Sequence, residues 1–175
     1  MAVESPPVAD NRVVKRRSST AGSLGLSETA RDILSPTLSI DIVNTRAEIP
    51  RLAEIAERFG QAHHLSEDDV ANIQLVLDEM VINIIRHGYE DVGDLGVHHI
   101  SVSLSLTADL LTIQLKDSAR AYDPREAPTP RFDLPLEERG AGGLGVHIVK
   151  SIMDTLDYRR ESGQNIVTMT KTLRP

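Results

Sequence analysis

The chain has 175 residues and a formal net charge of −7, with 40% hydrophobic residues, only 3% aromatic residues and no cysteine. This composition supports one domain with an aliphatic core and excludes disulfides and thiolate metal sites. The acidic charge argues against nucleic-acid binding, which needs a basic face, and no apolar run reaches the roughly 18 residues of a membrane span. No secretory signal is visible, so we expect a cytoplasmic protein that binds neither nucleic acid nor membrane.

Residues 1–35 are rich in Ser, Pro, Ala and Gly. Such a segment buries too little apolar surface to fold alone, so we expect a disordered tail followed by one domain over residues 36–175. The basic run KRR at residues 15–17 and the string RRSST at residues 16–20 are typical of a solvated tail. Contact with an acidic partner and phosphorylation are the respective alternatives.

Hydrophobic periodicity predicts the elements in chain order. Residues 37–43 alternate like a half-buried strand, and residues 48–63 form a helix with Pro50 in its first turn. Ser66 is a good N-cap for a longer second helix, which we expect Gly88 to end. Next come two strands joined near residues 107–109, a proline-rich loop over residues 118–141, a helix over residues 144–154, and a final strand pair with a Ser-Gly turn.

The order β-α-α-β-β-loop-α-β-β predicts the fold class. Strands paired mostly by hairpins, together with three helices, indicate an α+β two-layer sandwich. We expect a mixed, mainly antiparallel sheet covered on one face by the helices.

The segment GAGGLG at residues 140–145 places four glycines directly before a helix. Backbone that approaches a phosphate must lack side chains, and a helix N-terminus offers unpaired N–H groups. The motif alone is weak, because glycine-rich loops also serve as hinges and caps. It is neither a P-loop nor a dinucleotide fingerprint.

The second predicted helix has a polar side opposite its apolar stripe. Glu79, Asn83 and Arg86 share this side, flanked by Leu75 and Ile82. Bare aliphatic residues beside a carboxylate are typical of a pocket wall, with Glu79 as a candidate base and Asn83 as a candidate ligand for a hard cation. An ordinary solvated face with two exposed apolar residues is the alternative.

Asp117 ends an apolar strand and opens the proline-rich loop. A carboxylate there accepts hydrogen bonds from a ligand's amino group, or it caps a turn. Taken alone, the residue favours the turn.

Three segments in this order, DEMVINIIRHGYED, KDSARAYDP and RGAGGLGVHIVKSIMD, resemble the three ATP-binding boxes of the gyrase/histidine-kinase-type ATPase superfamily. Within it, the chain is similar to the bacterial anti-sigma-factor serine/threonine kinases. The resemblance covers about residues 36–175. It implies a Bergerat-type ATP-binding fold, with ATP held between helix, loop and sheet edge.

The resemblance also implies roles for individual residues. Asn83 would ligate Mg²⁺ at the phosphates, Glu79 would be the catalytic general base, and Asp117 would accept from the adenine amino group. Ala119 would lie beside the adenine. The lid residues would meet the phosphates through their backbone: Gly142, Gly143, Leu144 and Gly145.

Two residues depart from the family pattern. Ala119 stands where the second box usually has glycine, and Asn165 lies near a position where threonine is common. Both departures bear on the adenine side of the site, so no ligand contact is assigned to Asn165.

The function implied by the resemblance is a regulatory kinase that uses ATP and Mg²⁺. It would phosphorylate a serine or threonine of a small anti-sigma antagonist protein and sequester a sigma factor or similar partner, as a homodimer. A nucleotide-binding switch with little or no kinase activity is the alternative, which Ala119 favours. The catalytic half of a histidine kinase ranks last, because the sequence shows no upstream helical hairpin to carry the phosphorylated histidine.

The histidines are assigned no catalytic role. His63 and His64 are expected at the surface, and His87 is expected to pack or to cap. His98 and His99 are adjacent on a strand, so they face opposite ways and cannot chelate together.

Overall fold

The structure is a computed structural model that describes residues 37–93, 96–128 and 143–173. The expected disordered tail lies outside the described residues, as do Gly142 and the rest of the proline-rich loop from residue 129. No helix within the described ranges is both long enough and apolar enough to cross a bilayer.

Five strands form one sheet in the order β1-β2-β3-β5-β4. They are β1 (Thr37–Val43), β2 (His99–Thr107), β3 (Leu110–Asp117), β4 (Thr155–Glu161) and β5 (Gln164–Thr172). All four pairings of these strands are antiparallel. The α+β sandwich is confirmed, and the described sheet is wholly antiparallel rather than mixed.

Three helices cover one face of this sheet: α1 (Ile49–His63), α2 (Glu67–Asn83) and α3 (Leu144–Ile152). Pro50 stands in the first turn of α1, where its missing N–H is harmless. The Ser66 hydroxyl accepts from the Asp69 amide at 3.1 Å, which caps α2 as predicted. Helix α3 ends two residues earlier than expected.

The core lies between the helices and one face of the sheet. Along β2, Ile100, Val102 and Leu104 are buried, while the serines that alternate with them are half-buried. This alternation is typical of a sheet with one packed face and one polar face. The helices contribute aliphatic residues at helical spacing and one phenylalanine: Leu52, Ile55, Phe59, Ile73, Val76, Leu77, Met80 and Val81.

Gly88 does not end the second helix, contrary to the prediction. Helix α2 continues through a π-helical stretch, Ile84–Tyr89, and a 3₁₀ turn, Glu90–Val92, and Gly93 with φ +71° follows. Gly88 is buried in this stretch, where an added Cβ would lie 2.6 Å from the Cβ of Ala119. Gly88 therefore allows the helix to lie close to Ala119, and it does not end the helix.

His64 is exposed as expected, whereas His63 is half-buried, and His87 packs against another ring as predicted. His63 contacts Phe59 with ring centroids 4.4 Å apart, and His98 stacks on Tyr89. The ring of His87 lies 5.6 Å from that of Tyr122, and its Nδ1 lies 2.7 Å from a carboxylate oxygen of Asp91. This pairing makes His87 a support for Tyr122 at the margin of the pocket described below.

Candidate functional site

Glu79 and Asn83 lie one turn apart near the end of α2, and both are half-buried. The Nδ2 atom of Asn83 is buried, and no described atom forms a hydrogen bond with it. An unsatisfied buried polar group costs about 1–3 kcal/mol, so a ligand that engages this amide would relieve that cost. Of the other residues predicted on this helix side, Arg86 and Leu75 are exposed and Ile82 is half-buried.

The start of α3 lies directly against the Glu79 carboxylate. A methyl group at Gly145 would overlap this carboxylate, so a side chain here would displace the end of Glu79. Gly143 caps α3 in the left-handed conformation, with φ +88°, and the exposed Leu144 follows it. Three of the four predicted lid residues thus lie at a helix N-terminus beside Glu79, while Gly142 lies outside the described residues.

A pocket opens between the end of α2, the start of the loop after β3, and the sheet. It brings the predicted residues of the adenine side together with Asn83, whereas Glu79 is not part of its lining and contacts the start of α3. Its lining includes Asn83, Asp117, Ala119, Tyr122, Asn165 and Val167.

Asp117 is the buried acid of this pocket, with 3% of its surface exposed. Its Oδ1 accepts from the Ala119 amide at 2.9 Å and from Asn165 Nδ2 at 2.8 Å. Burial raises the pKa of Asp117, and the hydrogen bonds from Asn165 and Ala119, together with the charge of Arg160, oppose this rise.

Ala119 is buried without backbone strain. The non-glycine residues with positive φ in the described ranges are His64, Ala108 and Ser162, so Ala119 does not need the left-handed conformation. Its methyl instead fills the space that Gly88 leaves open. Alanine at position 119, where the family usually has glycine, is therefore accommodated by the glycine at position 88 on the facing helix.

No role was predicted for two polar residues that the structure places in or beside the site. Asn165 is 4% exposed and lies opposite Asp117 in the register of β3 and β5. Asp78 precedes Glu79 and has a buried Oδ1 with no described hydrogen bond. Burial, followed by the neighbouring Glu79, raises the pKa of Asp78. No pattern in β5 marked Asn165, which follows the polar Gln164 at the start of the strand.

The donor set fits a magnesium ion that is held mainly by phosphates. The described ranges contain no group of three or more His, Cys, Asp or Glu residues able to hold a metal ion by themselves. Mg²⁺ commonly keeps one or two protein oxygen ligands and takes the others from water and substrate phosphates. Asn83 lines the pocket, and its amide oxygen is a ligand of the kind that such an ion would take from the protein.

The antiparallel sheet with three helices on one face, the pocket that holds Asn83 and Asp117, and the glycines at the start of α3 agree with the fold of a histidine-kinase-like ATPase domain. The family model described as a histidine kinase-like ATPase domain matches residues 42–171, and the chain belongs to this family.

Serine-protein kinase RsbW of Bacillus cereus is 27% identical over 128 residues, which cover 70% of this chain and 74% of the relative. RsbW of Halalkalibacterium halodurans is 28% identical over 124 residues, which cover 69% and 70%. Serine/threonine-protein kinase BtrW of Bordetella bronchiseptica is 28% identical over 103 residues, which cover 59% and 70%. The comparisons confirm the family predicted from the three boxes, and these relatives are enzymes of the class that the resemblance implied.

Proposed function

We propose that the chain is an ATP-dependent serine/threonine protein kinase that phosphorylates a small anti-sigma antagonist protein. By partner switching, it would control a sigma factor or a similar regulatory protein. The observation that carries this proposal is the contact between Glu79 and the lid helix at Gly145, next to the pocket of Asn83 and Asp117. The names of the kinase relatives support it.

In the proposed reaction, the substrate hydroxyl oxygen forms a bond to the γ-phosphorus of ATP while the bond to the β–γ bridging oxygen breaks. ADP leaves, and the hydroxyl proton passes to the carboxylate of Glu79. Asp117 would accept a hydrogen bond from the adenine amino group, and the N-terminal amides of α3 would bind the phosphates. Mg²⁺, bound through Asn83 and phosphate oxygens, would neutralise the phosphate charge.

A switch module that binds nucleotide without transferring phosphate is the second candidate. The argument for it was that alanine at position 119 would impair nucleotide binding. That argument is weak, because Ala119 has no backbone strain and its methyl group fits against Gly88. The kinase proposal is therefore preferred. We also propose a homodimer and a cytoplasmic location, of which the homodimer rests on the resemblance.

The test is to incubate the protein with labelled ATP, Mg²⁺ and small antagonist-type proteins from its own genome. We expect one of them to gain acid-stable phosphate on a serine or threonine. The variant Glu79→Gln keeps the size of the side chain but removes the base, so transfer should fall about 10²–10⁴-fold while ATP still binds.

Glu57→Gln is the matched control, because Glu57 is an exposed glutamate on α1, away from the site. It should transfer phosphate at the normal rate. Normal transfer by Glu79→Gln would refute the base assignment. ATP binding without transfer to any antagonist would favour the switch module.

A further inference from the structure

Asn165 uses every hydrogen bond that its side chain can make. Its Nδ2 donates to Asp117 Oδ1 at 2.8 Å and to the Arg120 carbonyl at 3.1 Å. Its Oδ1 accepts from the Tyr158 hydroxyl at 2.9 Å and from Arg160 Nη1 at 2.6 Å. An amide has two N–H donors and one oxygen with two lone pairs, so the group is saturated.

This pattern fixes the orientation of the amide. The reversed amide would place its oxygen against a carboxylate and a carbonyl, and its NH₂ against the Arg160 guanidinium, so these three attractive contacts would become repulsive. Asn165 therefore has no hydrogen-bonding capacity left for a ligand, and it acts on the pocket only through Asp117 and the loop.

Asp117 is consequently presented to the pocket in one way. Its Oδ1 receives two internal donors, from Asn165 and from the Ala119 amide, and no described residue donates to its Oδ2. Hydrogen bonds to a carboxylate favour the ionised form, which has only acceptors. The Asp117 carboxylate is thus held in place through Oδ1, and its Oδ2 remains available to accept a hydrogen bond from a ligand.

Arg160 connects this arrangement to the edge strand β4. Its Nη1 donates both to Asn165 Oδ1 and, at 3.1 Å, to the carbonyl of Ala119. Arg160 is also the cation that counters the burial of Asp117. The Arg160 guanidinium therefore links the Asn165 amide to the backbone of the loop after β3.

We infer that Asn165, held by Tyr158 and Arg160, is a positioning residue that makes Asp117 a reader of amino groups and so sets the preference for adenine over guanine nucleotides. Adenine carries an amino group at the position where guanine carries a carbonyl oxygen. An ionised carboxylate accepts from the first and repels the second. This inference rests on the proposed function to the extent that the pocket binds ATP.

The experiment measures dissociation constants for ATP and GTP by equilibrium dialysis between pH 5 and pH 9. Asn165→Leu keeps roughly the volume and removes every hydrogen bond of the side chain. We expect its preference for ATP over GTP to fall about tenfold or more, because one buried hydrogen-bonded contact discriminates by roughly that factor or more. The pH below which ATP binding weakens should rise, because a donor that stabilises the ionised Asp117 is gone.

Gln114→Leu is the matched control, because it removes an amide of β3 that bonds Thr168 outside the pocket lining. It should bind both nucleotides as the unchanged protein does. Arg160→Met is the second variant, since Arg160 is exposed and its removal should leave the fold intact. It should shift the nucleotide preference and the pH dependence in the same direction, by a smaller amount.

A folded Asn165→Leu protein with unchanged preference and unchanged pH dependence would overturn the inference. If Asn165→Leu does not fold, Arg160→Met decides, and an unchanged preference there has the same consequence. A wild-type protein that binds no ATP would overturn the proposed function itself, and this inference with it.

Discussion

Gly88→Ala should strain the contact between the helix and the loop. The new Cβ would lie 2.6 Å from the Cβ of Ala119, whereas apolar carbons rest about 3.5–4.0 Å apart, so roughly 1 Å must be relieved. Both atoms are fixed to backbone, and overpacking of this kind costs about 1–3 kcal/mol. Replacing glycine in a helix returns about 0.8–1.0 kcal/mol, so the net loss of unfolding free energy should be at most about 2 kcal/mol.

Ala119→Gly should rescue that strain. Alone, it removes one buried methyl group, worth about 0.8 kcal/mol, and loosens the unfolded chain by about 0.4–1 kcal/mol. Combined with Gly88→Ala, it moves the methyl from the loop to the helix and removes the overlap. The double variant should therefore be more stable than the sum of the two single changes predicts, by about 1–2 kcal/mol, within the range of contacting pairs.

Urea unfolding of the four proteins measures this coupling, and ATP titration of the same four reports on the pocket. Gly88→Ala should weaken ATP binding because it pushes the backbone that follows Asp117, and the double variant should restore it. Additive changes in unfolding free energy would show that Gly88 and Ala119 do not constrain each other. Tighter ATP binding by Ala119→Gly alone would instead show that the methyl group crowds the base.

Asn83→Ala should abolish the Mg²⁺-dependent part of ATP affinity in a folded protein; equal affinity with and without the change would refute the ligand role. Gly145→Ala should displace the Glu79 carboxylate and slow phosphotransfer about tenfold or more, within the 10²–10⁴-fold worth of a general base. An unchanged rate of phosphotransfer would mean that the Glu79 carboxylate can move away from the new methyl group and still act. Asp117→Asn should lose ATP binding yet match or exceed the wild-type protein in stability at pH 8. The raised folded-state pKa of Asp117 means that stability falls as pH rises through it, so the difference should vanish below about pH 3.9, where the unfolded carboxyl also binds its proton. A stability difference that does not vary with pH would contradict this reasoning.

The periodic elements could be predicted because their signals are local. Ser66 and the acids after it mark the start of α2, and the apolar stripe through Ile73, Leu77 and Met80 marks its buried face. The hairpin turn at Ser162 and Gly163, both with positive φ, follows from the same kind of signal.

The end of α2 could not be predicted in this way. A glycine after a helical pattern ordinarily indicates a cap. At Gly88 a side chain is instead excluded by the methyl group of Ala119, which lies in the loop after β3. The direction of strand pairing also lacks a local signal, so the wholly antiparallel sheet was only partly foreseen.

The candidate site divides along the same line. Glu79, Asn83 and Asp117 stand in motifs with a recognisable order, and the structure places Asn83 and Asp117 in one pocket and Glu79 against the start of α3. Asn165 carries no motif, since its meaning depends on a register that sets it against Asp117, 48 residues earlier. Contacts of this kind depend on tertiary structure, and no pattern within one segment reports them.

The π-helical stretch Ile84–Tyr89 follows Glu79 and Asn83 and contains Gly88, which lies against Ala119, so the number of residues in this helix affects the site. A π-turn corresponds to one residue inserted into an α-helix, and Glu79 and Asn83 precede it. Deleting one residue here would restore the regular helix. Because the π-turn takes up the extra residue, the segment after it would keep its face, and Gly88 would stay against Ala119. Deleting one residue from the regular part of α2 would instead turn all that follows by about 100°. Loss of a residue before the π-helical stretch, and not within it, would therefore carry Gly88 away from Ala119.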